Sequence, residues 1–385
     1  MNRKEIKPLP FIAYYLPVLA LVLIGLADAI YLSISHYRNY TDIGYKSFCA
    51  VSKAINCDTV SQSPYSIVFH LPVAIWGIWG YLFLFCLLIF AWRFRHEKKY
   101  TWPTLFFISL AYSIGSIVLA LISSLIIKSY CIMCILSWAV NFALLYYSWL
   151  AFRRFEKESF FAGLKNDIKK YADHSKQVIT FLSLFAAVTG GVILSVPKYW
   201  DFELVMPSID IPTGLTEDGH PWIGAENPEL TILEFSDYQC FQCKKMHFYL
   251  RQLIAEHPDK IRLIHRHFPM DHLVNPIVKD PFHVGSGKLA LLALFALEKR
   301  RFWEVNDKLF QLKETEETFN LREMADEEGF NVIEFAASIN HPYFQSKLIE
   351  DLREGLELGI TGTPAFVIEG NVFLGSIPDK YLSGY

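Results

Sequence analysis

Ser129-Tyr130-Cys131-Ile132-Met133-Cys134-Ile135-Leu136-Ser137-Trp138 sets a pair of thiols at the mouth of an apolar run covering residues 132–152. A run of that length matches the roughly 20 helical residues that cross a bilayer core. Thiols at a helix start meet the unpaired N–H groups of the first turn and the positive end of the helix dipole, which favour thiolate. Trp138 lies one turn deeper. Working outward, residues 11–32, 71–92, 104–127 and 178–196 are apolar runs of similar kind, and only the first holds a charge, Asp28. Residues 11–32 offer neither the short apolar region nor the A-x-A-like site of a cleaved signal, so they read as a retained helix.

The whole composition agrees with five membrane spans. A chain of 385 residues, 52% hydrophobic and 19% charged, with mean hydropathy +0.25, is more apolar than a single soluble core requires, which argues against a purely cytosolic enzyme. A net charge of -3 supplies no basic surface for phosphates, so nucleic acid is not expected as a partner. The cysteines are Cys49, Cys57, Cys86, Cys131, Cys134, Cys240 and Cys243, and all but Cys86 fall into close pairs. Two of the pairs are C-x-x-C, which reads as thiol–disulfide chemistry more readily than as a structural framework. Cys86, alone within the second span, reads as an inert core thiol. Asp28 reads first as a cap for the adjoining loop and second as the mark of a proton path. The aromatic side chains, 16% of the chain, read as interface belts and core packing, with one or two rings left over to stack on a ligand.

Loop charges orient the bundle, because short segments rich in Lys and Arg stay in the cytoplasm. Arg3, Lys4 and Lys7 precede the first span; Arg93, Arg95, Lys98 and Lys99 follow the second; Arg153, Arg154, Lys157, Lys165, Lys169, Lys170 and Lys176 follow the fourth. The alternate loops hold only Arg38, Lys46, Lys53 and Lys128, four against fourteen, which puts the amino terminus inside and everything after residue 196 outside. All the paired cysteines then lie on or beyond the outer face, where disulfides persist.

After Pro197, the residues Pro207, Pro212, Pro221, Gly214, Gly219 and Gly224 read as a linker ahead of an ordinary globular sequence. Residues 230–235 and 261–268 read as strands around a helix at 240–257, a β-α-β unit. Further helices are expected near 288–299, 302–312 and 345–358, with a closing hairpin from 364–368 and 372–374 around Glu369-Gly370-Asn371. Cys240-Phe241-Gln242-Cys243 follows the first strand and opens the helix, so Cys240 gains thiolate character and Cys243 can resolve a mixed disulfide. The competing reading is a zinc half-site, which needs two further ligands from residues such as His247, His265 and His267. The exchange chemistry itself requires no metal.

Gly359-Ile360-Thr361-Gly362-Thr363-Pro364-Ala365-Phe366, together with Glu234 and Phe302-Trp303-Glu304, resembles the DsbA-like thioredoxin fold over most of residues 225–375. The resemblance implies that Pro364 is cis, that Thr363 and Pro364 hold a substrate chain beside the active disulfide, and that Glu234 moves the proton of Cys243. A surface glutamate at a strand end is the plainer reading of Glu234. Phe241 stands where Pro is commoner, and the chain stops at Tyr385 without a long terminal helix.

Phe48-Cys49, Asn56-Cys57, Ser63-Pro64-Tyr65, Leu71-Pro72, Gly77, Gly80 and the Cys131/Cys134 pair opening the fourth span resemble the vitamin K epoxide reductase family over roughly residues 11–152. The resemblance implies that Cys134 faces a quinone lined by Ser63 and Trp138, that Cys131 exchanges with Cys57, and that Cys49 exchanges with the thioredoxin partner. A purely structural Cys49–Cys57 loop disulfide is the alternative. Trp138 falls where vertebrate relatives have Tyr, and Val73 where many members have Asn. Fusion of such a bundle to a thioredoxin-like domain is a bacterial arrangement.

The reading is therefore an all-α four-helix membrane bundle at 1–154, a loop, a fifth span (178–196) and linker at 155–221, and an α/β thioredoxin-fold domain with a helical insertion at 222–385. The expected activity is a bacterial inner-membrane thiol oxidase, with ubiquinone or menaquinone as acceptor and reduced exported proteins as substrates. A separate soluble disulfide carrier is a further candidate partner. A quinol-driven disulfide reductase or isomerase, and a non-catalytic redox sensor or peptide binder, are the alternatives.

Overall fold

This computed structural model describes residues 9–45, 47–50, 55–93, 101–155, 159–195, 197–200, 211–312 and 320–385. Arg3, Lys4, Lys7, Lys46, Lys53, Arg95, Lys98, Lys99, Lys157, Val196 and Pro207, used above for orientation and boundaries, lie outside them. The chain divides into two compact units, residues 1–200 and 201–385.

Among the described residues, five helices are long and apolar enough to cross a membrane. They are α1 (Phe11–Thr41), α3 (Val73–Arg93), α4 (Trp102–Ile122, continued by a wider turn, Ser123–Ile127), α5 (Ile132–Phe155) and α7 (Ser175–Ser195). Between α1 and α3 lie α2 (Cys57–Gln62) and a two-stranded ribbon of β1 (Ile67–Val68) and β2 (Leu71–Pro72). Apolar burial gives little drive between helices in lipid, so small residues and polar contacts set the approach. Gly25 of α1 lies under the Tyr81 ring of α3, and a methyl on Gly77 would stand 3.2 Å from that of Ala29. Tyr81 donates to Asn141 Oδ1 at 2.8 Å, and Asn141 donates to Ser116 Oγ at 3.0 Å, which ties α3, α5 and α4 together.

Two differences from the sequence reading concern this unit. The stretch read as a basic loop carries α6 (Phe160–Asp173), whose buried Asp167 accepts from the N–H and hydroxyl of Thr104 at 3.1 and 2.8 Å. A carboxylate at the first turn of α4 satisfies otherwise orphaned donors and complements the helix dipole. The first helix also runs to Thr41 rather than ending near residue 32. Asp28 is consequently buried inside α1 and, among the described residues, caps no loop: Ser137 of α5 donates to its Oδ2, and Oδ1 has no partner among them.

The second unit has the thioredoxin fold. Its sheet contains β3 (Thr213–Leu215), β4 (Pro221–Gly224), β5 (Leu230–Ser236), β6 (Ile261–His267), β7 (Ala365–Ile368) and β8 (Asn371–Leu374). The spatial order is β3-β4-β6-β5-β7-β8; only the β5–β6 pair is parallel, as a β-α-β crossover through α8 (Phe241–Glu256) requires. The helical insertion comprises α9 (Ser286–Glu298), α10 (Phe302–Gln311), α11 (Leu321–Glu327), α12 (Val332–Ser338) and α13 (Pro342–Glu357), and α14 (Asp379–Leu382) follows the closing hairpin. The residues read as a linker thus contribute β3 and β4 to this sheet. Their Pro and Gly mark an edge hairpin: Gly224 has φ 114°, and a Cβ there would run into the carbonyl oxygen of Ile261. Gly224→Ala is expected to lower the unfolding free energy of this unit by about 1–3 kcal/mol, measurable by urea titration with tryptophan fluorescence. An unchanged midpoint would contradict this account of the edge.

Candidate functional site

The loop bearing Cys49 and Cys57 is built onto the end of α1. Asn56 caps α2, accepting from the N–H groups of Asp58 and Thr59 at 2.9 and 3.1 Å, and this puts Cys57 on the first turn. The Asp58 carboxylate accepts from Ser47 N at 3.3 and 3.2 Å, holding the chain just before Cys49 against α2. On the other side, Asn56 N donates to Tyr130 O at 2.9 Å, and Ser129 Oγ donates to Asn56 O at 3.4 Å. These bonds carry the loop to the start of α5. Cys49 and Cys57 are joined by a disulfide, with Cα atoms 5.6 Å apart. Both pack with Cys131 in one buried cluster, against which Cys134, Val60 and Met133 are set. Cys134 N donates to Cys131 Sγ at 3.2 Å, the helix-start contact read from the spacing. The loop is therefore held at both flanks, and Cys49 is fully buried.

Below this cluster opens a cavity of about 390 Å³, lined by Cys131, Cys134, Ser63 and Trp138 and also by Val73, Tyr112 and Ser61. Such a volume suits a small-molecule site, and its walls are mostly apolar. Ser63 donates to Val60 O at 2.8 Å. Among the described residues the buried Ser61 Oγ has no partner, leaving a hydroxyl for a ligand oxygen. An apolar ring bearing carbonyl oxygens fits these walls. Ser61 and Tyr112 escaped the sequence reading, because no spacing marks a wall residue that carries no chemistry of its own.

In the thioredoxin-fold unit, Cys240 is the N-cap residue of α8 and its Sγ accepts from Cys243 N at 3.3 Å. The Cys240 thiol lies 3.5 Å from the carbonyl oxygen of Thr363, whose peptide bond to Pro364 is cis. The residues singled out at 240, 243, 363 and 364 thus meet. The hydrogen bond from Cys243 holds the Cys240 thiol below its ordinary value, and a nearby His283 adds to this. Burial pushes the Cys243 thiol well up. Of the two thiols, Cys240 is the more readily ionised.

Glu234 on β5 is fully buried rather than a surface strand-end residue. It faces His265 across the β5–β6 pair, with Oε1 2.6 Å from Nδ1, while Oε2 has no partner among the described residues. Burial raises Glu234 to about 7 and lowers His265 well below the usual imidazole value, so below neutrality the contact is a hydrogen bond between neutral groups rather than an ion pair. The histidines a zinc site would enlist are bonded elsewhere: His265 Nε2 lies 3.3 Å from His267 Nδ1, and His247 Nε2 lies 2.7 Å from Asp307 Oδ1. His220, Asp351 and Glu354 bring ligand-type atoms within 4.8 Å of one another. Arg266 already supplies a cation there, bonding Glu354 at 2.8 Å.

A carboxyl whose folded value exceeds its unfolded one stabilises fully below the unfolded value, and the contribution is lost as pH rises through the folded value. For Glu234 that window runs from its ordinary value of 4.5 to about 7. The stability of the wild type relative to Glu234→Gln should therefore fall by about 3 kcal/mol across the window, measurable by denaturation at a series of pH values. A flat difference would contradict a buried, titrating Glu234.

Comparison with known proteins agrees with this construction. Residues 16–149 match the vitamin K epoxide reductase family and residues 216–385 match a thioredoxin family. The chain is thus a vitamin K epoxide reductase-type helical bundle followed by a thioredoxin-like domain, and both resemblances read from the sequence are borne out. The chain is 22% identical to a thioredoxin-like oxidoreductase from Silicibacter pomeroyi DSS-3, covering 43% of this chain and 88% of that one with a TM-score of 0.36. It is 20% identical to alpha-DsbA1 of Wolbachia pipientis, covering 44% and 90% with a TM-score of 0.35. It is also 27% identical over 199 residues to the Na(+)/H(+) antiporter NhaA of Herminiimonas arsenicoxydans, covering 50% of this chain and 29% of the antiporter. The chain spans less than a third of the length of the curated relatives it matches.

Proposed function

We propose that the chain is a membrane thiol–disulfide oxidoreductase that forms disulfides in exported proteins and delivers the electrons to a quinone. The observation that carries this reading is the packing of Cys49, Cys57 and Cys131 into one cluster, beside a cavity that Cys134 lines. A substrate thiolate attacks Cys240 Sγ of the oxidised soluble pair and Cys243 leaves; a second substrate thiol then closes the substrate disulfide and releases Cys240. The reduced pair next passes two electrons to Cys49–Cys57 through an exchange at Cys49, a step that requires the buried Cys49 to become exposed. Cys57 exchanges with Cys131, and the dithiol at Cys131 and Cys134 is reoxidised at the cavity. A quinone, ubiquinone or menaquinone, bound there accepts the two electrons and two protons. Ser63, Ser61 and Trp138 shape the wall that would hold it, Thr363 and Pro364 seat the substrate chain, and Glu234 holds the proton that Cys243 loses and regains.

The reading places residues 1–154 as the quinone-reducing bundle, 155–212 as the connection, and β3 and β4 together with residues 222–385 as the exchange domain, with the exchange domain on the periplasmic side of a bacterial inner membrane. Reduced exported proteins are the substrates, and a separate soluble carrier could stand between. The test is anaerobic oxidation of a dithiol peptide by the intact chain with added quinone, following quinone absorbance. Quinol formed in proportion to peptide disulfide supports the reading. Peptide binding without turnover sinks it.

A further inference from the structure

The dipeptide inside the soluble motif, Phe241-Gln242, carries no charge, so any cation favouring the Cys240 thiolate must come from outside it. A side chain able to carry such a charge, His283, stands on the loop before α9. His283 Nδ1 lies 3.0 Å from Asp237 Oδ2, and the Asp237 carbonyl accepts from Cys240 N at 3.1 Å. A second clamp joins the same segments, Gln239 Nε2 donating to Val284 O at 3.0 Å. Asp237 is buried, and it also accepts from Gln239 N at 2.7 Å and from Ser286 Oγ at 3.0 Å, so its position is fixed by both segments. His283 itself has φ 43°, a left-handed conformation rare for a residue with a side chain and typical of functional positions.

We propose that His283, oriented by Asp237, is the cationic positioning residue that stabilises Cys240 as a thiolate when it leaves the mixed disulfide with substrate. The inference rests on the reading of Cys240 as the exchanging sulfur. When the second substrate thiolate attacks its own mixed-disulfide sulfur, the bond to Cys240 breaks and the electron pair stays on Cys240 Sγ, opposite the imidazolium. No proton need move at that moment. His283 lowers the Cys240 thiol while the Asp237 carboxylate raises it, so loss of the His283 charge alone leaves the opposing one in place. The other charged groups around this spot are Asp237 on the β5–α8 turn, Lys244 and Lys245 on α8, and Asp271, which accepts from Gly285 N at 2.8 Å.

The test is the pH profile of Cys240 alkylation in the reduced full-length chain in detergent, read by site-resolved mass spectrometry. His283→Asn keeps a donor for Asp237 and tolerates a left-handed backbone, but removes the charge. It should move the Cys240 midpoint up by about one pH unit, a roughly tenfold loss of reactivity below the midpoint. His283→Lys should restore the wild-type midpoint. An unchanged midpoint in the Asn variant would overturn the inference while leaving exchange at Cys240 intact. So would a Lys variant shifted as far as the Asn one, which would mark a packing role. Cys240 alkylating no faster than Cys86 at every pH would sink the exchange reading and this inference with it.

Discussion

Cys134→Ala is expected to cut quinone reduction by on the order of 10³-fold or more, while the soluble pair still oxidises one equivalent of dithiol peptide. Cys134 lines the cavity, and its backbone N–H holds Cys131 Sγ. Alanine keeps that N–H and the helix start, so the bundle should remain folded with the cavity slightly enlarged. What disappears is one of the two C-x-x-C sulfurs lining the cavity, without which that dithiol cannot close to a disulfide. The measurement is steady-state quinone absorbance beside a single-turnover peptide assay in the same preparation. Quinone reduction persisting at a tenth of the wild-type rate would move the terminal step away from Cys134.

The second large effect concerns Cys243. Its thiol is fully buried, which pushes its pKa well up, and on the proposed reading its task is internal attack on the bond that Cys240 makes with a substrate. Removing it takes away a neighbour whose effective concentration far exceeds that of any thiol in solution. Mixed disulfides at Cys240 should then live on the order of 10³-fold longer. Cys243→Ala expressed in cells should show Cys240 adducts with exported proteins on non-reducing gels, and Cys240→Ala should show none. Adducts of equal abundance in both variants would contradict the assignment of Cys240 as the entry point.

The cysteine spacing was legible because each pair is local: a C-x-x-C at a helix start is one turn of backbone, and its chemistry follows from that turn. The four spans after the first were legible in hydropathy. Other features depend on contacts that sequence separation conceals. Asp28 meets Ser137 across 109 positions, and His283 meets Asp237 across 46. The end of α1 was misplaced because Ser33, Ser35, His36, Arg38 and Asn39 are polar, yet Asn39 donates to Asp58 O, so the helix continues to carry the cysteine loop. Strands β3 and β4 are too short to show alternation, and their Pro and Gly resemble a linker. The charged face of α6 had the composition of a cytoplasmic loop, and only its apolar stripe, with Phe160 packed into the bundle core, distinguishes it.

The claim on which all this depends is that Cys240 hands electrons to Cys49. In a chain carrying Cys57→Ala together with Cys243→Ala, both resolving sulfurs are gone, and oxidation should leave a Cys49–Cys240 disulfide recoverable as a cross-linked peptide by mass spectrometry. Full recovery of Cys49 and Cys240 as separate thiols, in a preparation whose Cys240 still forms adducts with peptide, would contradict the relay.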